Sequence, residues 1–347
     1  MSERRAFLDV GVGERRGVIA LDGRPERLII ERDGDPPAQR LGAHVVARVR
    51  KVDRALGLVF LDLGAGPDAA APLADGLQGI GEGRFFAVEI RSEGRAGKGA
   101  SARLIGPAEG PVRVMASAPA LPEQLAEFAP RWPVETGAAA RALADEAESE
   151  ALQTVFPLPG GGSIAVERTR ALIAVDVDVG ERGGASPKKV ARATNLAALA
   201  SAARVLRLKG EGGLVVIDFA GRGHDGPALI AAARAAFAGD NPGVALGPIS
   251  RFGVLELTVP RRRTPIADRL LSPEGRLSAQ TLALRLIRAL EREALAEPGA
   301  MIQAAAAPSV AAAARPYLKA LKDRLGGRLE IGEQPSFGEE TFEIAAR

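Results

Sequence analysis

Short apolar runs alternate with polar residues over the first hundred residues, and each run ends at a turn signal. RRGVIALDG (15–23) and ERLIIERDG (26–34) both close on Asp-Gly, which is typical of hairpin turns. Four similar runs lie between residues 44 and 106. Strands of this length and spacing predict a small β-barrel.

Residues 106–150 interrupt this pattern. Proline, alanine and glutamate dominate there, and the only regular pattern predicts an alanine-rich helix at 137–152. We interpret this segment as a connector or a small helical insert.

From residue 155 the pattern becomes strand, helix, strand. The glycines at 160–162 predict a turn before a hairpin, and LIAVDVDVG (172–180) predicts an apolar strand with two aspartates near its end. SPKKVARATNLAALASAARVLRLK (186–209) predicts a long helix, and GLVVIDFAGR (213–222) predicts the next strand. A crossover helix of this kind predicts that the two strands are parallel and close in one sheet.

The long helix carries clear boundary signals. Ser186 suits the N-cap, Pro187 suits the first helical position, and Gly210 suits the end. Its apolar stripe predicts one buried face, and Arg204 and Arg207 are predicted on the polar face.

The remaining third of the chain predicts further helices and strands. A helix at 228–239 precedes a strand that ends in the basic tripeptide 261–263, and residues 266–347 form a separate helix and strand unit. That unit is predicted to contain helices at 282–295 and 315–325 and strands at 328–332 and 342–346.

Three aspartates are the candidates for chemistry. Asp176 and Asp178 point the same way in an extended strand, and like charges in a half-buried place are costly unless they are neutralised. Asp218 ends the next strand, so its carboxylate is predicted at the same sheet edge. For any single aspartate, capping of the following turn or helix is the simpler explanation. Together the acids predict a magnesium site, because Mg²⁺ takes one or two carboxylates and accepts phosphate oxygens.

Composition narrows the chemistry further. The 347 residues contain no cysteine and two histidines, which excludes disulfides, cysteine-bound zinc and thiol catalysis. The net charge of +3 is modest, but the isoelectric point of about 9.5 favours an acidic partner over a basic one. The amino terminus lacks the apolar core of a signal peptide and no apolar run could span a membrane, so we expect a cytoplasmic protein.

Basic residues and Phe60 on the predicted barrel allow two interpretations. They are either a solvated outer face, or the groove of an OB-type barrel that binds single-stranded nucleic acid by charge and stacking.

Three blocks of sequence together resemble the catalytic core of the ribonuclease E / ribonuclease G family. They are LPGGGSIAVERTRALIAVDVDVG (158–180), TNLAALASAARVLRLKGEGGLVVIDFAGR (194–222) and ISRFGVLEL (249–257), in the family's order and at similar separation. VFLDLGAG (59–66) and AGKGA (96–100) are similar to the family's RNA-binding module.

The resemblance implies a multi-subdomain α+β fold. Its parts would be N-terminal strands of an RNase H-like part (1–38), an inserted OB-type barrel (39–105), a shortened connector (106–150), a catalytic core (151–265) and a small C-terminal α/β domain (266–347). The catalytic core would be a mixed α/β sheet formed by RNase H-like and DNase I-like parts.

It also implies roles for particular residues. Asp176 and Asp218 match the family's two magnesium-binding aspartates, and Asp178 stands where the family has an active-site asparagine. The resemblance thus implies Mg²⁺, with Mn²⁺ as an alternative, and a catalytic role for all three. The matching RNA-binding positions are Phe60, Lys98, Asn195, Arg251 and Phe252.

Several departures from the family pattern accompany this match. Ala70 occupies the position of a second stacking phenylalanine, and the connector lacks a visible counterpart of the family's pocket for an RNA 5′-monophosphate. Without cysteine there is no zinc link between subunits, so we expect no zinc and allow only a homodimer formed by another surface. The prediction is a magnesium-dependent endoribonuclease that cuts single-stranded RNA; the alternative is a non-catalytic RNA-binding protein on the same scaffold.

Overall fold

The structure is a computed structural model in which two compact units can be distinguished. It describes residues 3–73, 79–95, 97–181 and 186–347. The first unit comprises Met1–Phe7, Gly17–Ile29 and Pro36–Ile266. The second comprises Leu8–Arg16, Ile30–Asp35 and Ala267–Arg347. The described residues form a mixed α+β fold with several sheets, which confirms the predicted class at that level.

The chain begins with a three-stranded sheet in the order β1-β2-β3. Its strands are β1 (Arg4–Val10), β2 (Glu14–Leu21) and β3 (Arg24–Arg32). The second and third strands match the two predicted runs. Asp22 and Gly23 both have positive φ, at 50° and 80°, as a tight hairpin turn requires.

The next six strands form a ring-like sheet in the order β5-β6-β8-β7-β4-β9, in which β5 also pairs with β4. They are β4 (His44–Asp53), β5 (Leu58–Asp62), β6 (Ala69–Pro72), β7 (Phe85–Ser92), β8 (Ser101–Pro107) and β9 (Arg113–Ala116). Alternate residues such as Val59 and Leu61 are fully buried in its core. The four predicted strands are present, whereas β6 and β9 have too weak an apolar pattern to be predicted.

Two helices follow, α1 (Leu121–Phe128) and α2 (Ala138–Leu152). The second is the predicted alanine-rich helix. Its small side chains Ala140, Ala144 and Ala147 lie along one face and are fully buried.

A six-stranded mixed sheet occupies residues 155–259, in the order β10-β11-β12-β13-β15-β14. Its strands are β10 (Val155–Pro157), β11 (Ser163–Arg168), β12 (Ile173–Asp178), β13 (Gly213–Asp218), β14 (Ala245–Ile249) and β15 (Val254–Val259). The helices α3 (Pro187–Lys209) and α4 (Gly226–Ala236) belong to the same segment. As predicted, β12 and β13 are parallel neighbours joined by the long helix.

The two faces of the mixed sheet differ. Alternate strand residues such as Val175, Ile217 and Leu255 are buried in one core with residues of α3 and α4. The residues between them, such as Asp176, Asp218 and Glu256, are exposed. We call this second surface the open face. The side chains of Asp176, Asp178 and Asp218 lie on it and are exposed to solvent.

Helix α3 differs from its prediction on one side. It begins at Pro187 and ends before Gly210, whose φ of 66° is the left-handed conformation expected there. Arg204 and Arg207, however, are buried and not solvated. Arg204 donates to the carbonyl of Pro25 and to Glu150, and Arg207 contacts Asp240 and Glu26. Acids elsewhere in the chain, which helical periodicity does not reveal, make this burial tolerable.

The second unit contains the C-terminal elements. They are α6 (Ala279–Ala296), β16 (Ile302–Ala306), α7 (Pro308–Leu325), β17 (Leu329–Glu333) and β18 (Phe342–Ala346), after the short α5 (Ile266–Leu270). The predicted helices and strands are present, and the alanine-rich β16 lies between the two others. No helix in the described part of the chain has the length and apolar character needed to cross a membrane.

Candidate active site

Asp176 and Asp218 are direct partners across two parallel strands. The register of β12 and β13 sets Asp176 opposite Asp218, and both side chains emerge on the open face. Neighbouring strands lie about 4.8 Å apart, so the two carboxylates stand side by side. The predicted meeting of the two acids at one sheet edge is therefore present in the structure.

The free-energy cost of placing Asp176 and Asp178 on an apolar strand is smaller than the sequence pattern suggested. Strand β12 is apolar, but its valines Val175 and Val177 are the buried residues, whereas Asp176 and Asp178 are exposed. Water therefore solvates each carboxylate. What remains is the repulsion between like charges directly opposite each other, which a bound cation would relieve.

Asp178 lies one step further along the same face. It pairs across the hairpin with Ser163, and its Oδ1 accepts a hydrogen bond from the Gly180 amide at 2.9 Å. Gly162, in the turn between β10 and β11, lies close to the end of β12, because a Cβ at that residue would lie 2.3 Å from the Asp178 carbonyl oxygen and its φ is +78°. The predicted glycine turn therefore packs directly against the end of the strand that carries Asp176 and Asp178.

The donor set at this edge suits a hard cation with few protein ligands. Within residues 3–73, 79–95, 97–181 and 186–347 there is no group of three or more acidic, histidine or cysteine side chains arranged to hold a metal. Mg²⁺ needs only one or two carboxylates and keeps several waters, so the pair Asp176 and Asp218 fits it. Structural zinc normally takes four Cys or His ligands, and this chain has no cysteine.

A turn with a basic and an aromatic side chain lies beside the acids. Arg251 and Phe252 occupy the turn between β14 and β15, and Val254 just after it pairs with Asp218. Phe252 is 75% exposed, and the Arg251 guanidinium carbon lies 4.7 Å from its ring centroid. An exposed arginine and ring at this place are available to a ligand at the carboxylate edge.

Asn195 has a different position from the one its predicted role requires. It is 1% exposed, and its amide both donates to the Ala220 carbonyl and accepts from the Ala220 amide, at 3.0 Å each. Both polar atoms of the side chain are engaged and the residue is buried, so it does not present itself to RNA. They fix the chain just after Asp218 instead.

Phe60 and Lys98 lie in and beside the ring-like sheet. Phe60 is partly exposed on β5, and its register partner on β6 is Ala70, so the two positions matched to stacking phenylalanines face each other. Lys98 is exposed and lines a groove with Ile173 and Leu214, which begin β12 and β13. The structure therefore places Lys98 at the opposite strand ends from the two aspartates.

Three arginines of that groove, at positions 168, 170 and 261, are not singled out by the sequence pattern. The only signal was the basic character of ERTR and RRR, which is usually a solvated surface. Their convergence depends on two separate turns meeting at one edge of the sheet, and sequence spacing does not encode that.

Fold and site together define an α/β unit that carries paired carboxylates at the ends of adjacent parallel strands. Comparison with known proteins gives this unit a family. Residues 135–264 match the model of the Ribonuclease E/G family. The matched segment is less than half of the chain and contains the three sequence blocks that resemble this family.

Individual relatives agree with the family match. Ribonuclease E of Escherichia coli (strain K12) is 35% identical over 158 residues, which are 42% of this chain and 15% of that protein. Ribonuclease E of Buchnera aphidicola (subsp. Acyrthosiphon pisum, strain APS) is 33% identical over 160 residues, 43% of this chain and 18% of that protein. A chloroplastic Ribonuclease E/G-like protein of Arabidopsis thaliana is 32% identical over 122 residues, 34% of this chain and 12% of that protein. The chain thus spans less than a fifth of the length of these relatives.

Proposed function

We propose that this protein is a magnesium-dependent endoribonuclease that cuts single-stranded RNA. The observation that carries the proposal is the register pairing of Asp176 with Asp218 inside the segment that matches the Ribonuclease E/G family. Relatives named Ribonuclease E support the reaction class.

The three acids at the carboxyl ends of β12 and β13 would have different roles. Asp176 and Asp218 would hold Mg²⁺, with Mn²⁺ as an alternative. When bound, such an ion activates a water molecule and stabilises charge on a phosphodiester. Asp178 accepts from the Gly180 amide with one oxygen and keeps the other for orienting a water. The products would carry a 5′-phosphate and a 3′-hydroxyl, as the family resemblance implies.

Other residues would bind and position the RNA. Phe60 offers a ring for base stacking and Lys98 offers a charge for a phosphate, in a ring-like sheet that we assign to the OB type. Arg251 and Phe252 would contact RNA beside the cut phosphate. Asn195 would act as a positioning residue, because it holds the backbone that follows Asp218.

A non-catalytic RNA-binding protein is the second candidate. It is favoured by Asp178, which adds a third negative charge to the edge where a phosphate must approach, and by Ala70, which removes a ring opposite Phe60. Both candidates share the RNA-binding surface and differ only in cleavage.

One experiment separates them. Purified protein is incubated with a labelled single-stranded RNA, with Mg²⁺ or with EDTA, beside Asp176→Asn and Asp218→Asn. We expect Mg²⁺-dependent cuts by the native protein and at least a hundredfold loss of rate in each variant, because each removes one of two carboxylates that bind the ion. The exposed Asp323→Asn is the control and should cleave like the native protein. Binding without cleavage, or equal cleavage by all variants, would refute the enzyme hypothesis.

A further inference from the structure

A strongly basic groove of about 590 Å³ lies at the amino-terminal ends of β12 and β13. Asp176 and Asp218 lie at the carboxyl ends of the same two strands. The groove is formed by the connection between β7 and β8, the β11–β12 turn, the start of β13 and the segment after β15. Its charged lining consists of Arg95, Lys98, Arg168, Arg170, Arg261, Arg263, Glu93 and Glu211.

The acids of the groove are already engaged by two of its arginines. Arg263 lies 3.6 Å from Glu93, and Arg168 lies 3.5 Å from Glu211. Arg261 donates through Nε to the Gly212 carbonyl at 3.0 Å, which is a neutral partner. The groove therefore has a surplus of positive charge that its own acids do not balance.

The positively charged side chains of the groove also repel one another. Burial lowers the pKa of Arg261, and the neighbouring positive charge of Arg95 lowers that pKa further, while Glu211 only partly offsets both. An anion in the groove would relieve this repulsion. Phosphate suits such a site, because guanidinium groups match its oxygens in charge and geometry.

Arg170 is presented at the tip of a well-formed turn. The Thr169 hydroxyl donates to the Leu172 carbonyl at 2.8 Å and accepts from the Leu172 amide at 3.1 Å, which closes the β11–β12 hairpin. Arg170 is exposed at this tip and lines the groove. The turn thus fixes the backbone from which the Arg170 side chain projects.

The groove continues onto the open face towards the acids. Leu214 lines the groove and is 40% exposed, and Val216 and Asp218 follow it on the same side of β13. Leu214 and Asp218 lie about 13 Å apart along the strand, with Val216 between them, so two apolar side chains separate the cations from the carboxylates. Single-stranded RNA suits such a surface, because its backbone phosphates are charged and its bases present flat apolar faces.

We propose that the groove binds a backbone phosphate of the RNA strand whose cut phosphate lies at Asp176 and Asp218. Arg170 and Arg261 make this contact, and bases between the two phosphates lie over Leu214 and Val216. The inference rests on the proposed function for the identity of the substrate. If the groove binds in this way, the RNA strand has to extend from the carboxyl ends of β12 and β13 to their amino-terminal ends.

The first test measures RNA binding in EDTA, where magnesium-dependent cleavage cannot occur. Fluorescence anisotropy gives the affinity for a labelled single strand over a range of NaCl concentrations. Arg170→Gln/Arg261→Gln should lower the slope of log affinity against log salt by about 1.4, since each lost phosphate contact accounts for about 0.7 in a single strand. Arg131→Gln/Arg234→Gln removes the same charge from exposed positions outside the groove and should leave the slope unchanged.

An equal loss of slope in both double variants would overturn the proposal, because only general charge would then matter. Thermal unfolding midpoints establish that both variants are folded. If the double groove variant fails to fold, Arg170→Glu alone is compared with Arg131→Glu, since both side chains are exposed. The same difference is expected, and its absence overturns the proposal.

The second test locates the phosphate. Oligonucleotides that carry one neutral methylphosphonate linkage, moved along the strand, are bound by the native protein and by Arg170→Gln/Arg261→Gln. We expect one internal position whose neutralisation weakens native binding but has no effect on the variant. If no position behaves in this way, the groove does not bind a backbone phosphate.

A terminal phosphate is distinguished by comparing strands with a 5′-hydroxyl and a 5′-monophosphate. We expect equal affinity. A preference for the monophosphate that disappears in the double variant would assign the groove to a strand end and overturn the proposal. All these readouts are independent of cleavage, so the groove can be established even if Asp176 and Asp218 prove not to be catalytic.

Discussion

Alternation along β12 and β13 decides the chemistry of the three aspartates. In β12 the valines at 175 and 177 are buried, while Asp176 and Asp178 reach solvent between them. The carboxylates therefore remain hydrated and available to a cation. Asp178 shares this exposure but has no acidic partner directly opposite, since its register partner is Ser163.

At this scale we predict that Asp178→Asn improves RNA binding. The change removes one negative charge about 7 Å along the strand from Asp176, worth about 1 kcal/mol of repulsion against a phosphate, or about fivefold in affinity. Asparagine keeps the acceptor for the Gly180 amide, so the turn should be retained. The measurement is RNA affinity in EDTA and cleavage rate in Mg²⁺, with Asp323→Asn as a control of equal charge. Unchanged or weaker binding would contradict this prediction, and the cleavage rate reports separately on the proposed role of Asp178 in orienting a water.

Elements are fixed by ion pairs as well as by apolar faces. Helix α3 was predicted well in its ends and its apolar side, yet its arginines pack against acids from distant parts of the chain. Glu26 of β3 is the clearest case, since its side chain is 1% exposed and contacts Arg4 at 2.6 Å and Arg207 at 2.9 Å. Such pairings are invisible to helical periodicity, which indicates only which residues share a face.

This ion pair predicts a pH dependence of stability. Burial alone would raise the pKa of Glu26, but Arg4, Arg207 and Arg27 reverse this, and the pKa is lowered overall. A lowered carboxyl pKa stabilises the fold above the unfolded value of about 4.3, and this stability is lost as the pH falls through the folded value. Glu26→Gln should therefore reduce the free energy of unfolding at pH 7 by about 3 kcal/mol, with a smaller difference at pH 3.

Urea unfolding at several pH values measures this effect. Glu146→Gln on α2 is the matched control, because Glu146 is exposed, and it should change the free energy of unfolding little at any pH. A destabilisation by Glu26→Gln that is the same at pH 3 and pH 7 would show that the ionised carboxylate is not responsible.

At the scale of the whole molecule, the chain forms two units from interleaved stretches. The first unit contains the ring-like sheet and the mixed sheet together, and the N-terminal strands contribute residues to both units. The catalytic core predicted at 151–265 therefore has buried contacts with residues outside its own boundaries. Arg204 uses Glu150 and the Pro25 carbonyl, and Arg207 uses Glu26.

We therefore predict that residues 151–265 expressed alone unfold at a lower temperature than the full chain. The isolated segment would leave Arg204 and part of the Arg207 network without partners, and unpaired buried charges are strongly destabilising. Circular dichroism melting curves measure this. A segment that begins at residue 135 regains α2 and Glu150, and its unfolding midpoint should lie between the two. Equal midpoints for 151–265 and the full chain would contradict the prediction.

The sequence by itself determined the elements and the acids of the site. Turn signals, helix caps and apolar alternation predicted most strands of both large sheets, the helix α3 and the parallel pairing that sets Asp176 beside Asp218. These features are local, or follow from the general handedness of crossover connections. Only the tertiary structure decided the rest: that the acids lie on an open face, that Asn195 holds the Ala220 backbone, and that arginines from two turns form one groove. Each depends on which distant segments pack together, and the spacing of residues along one chain does not record that.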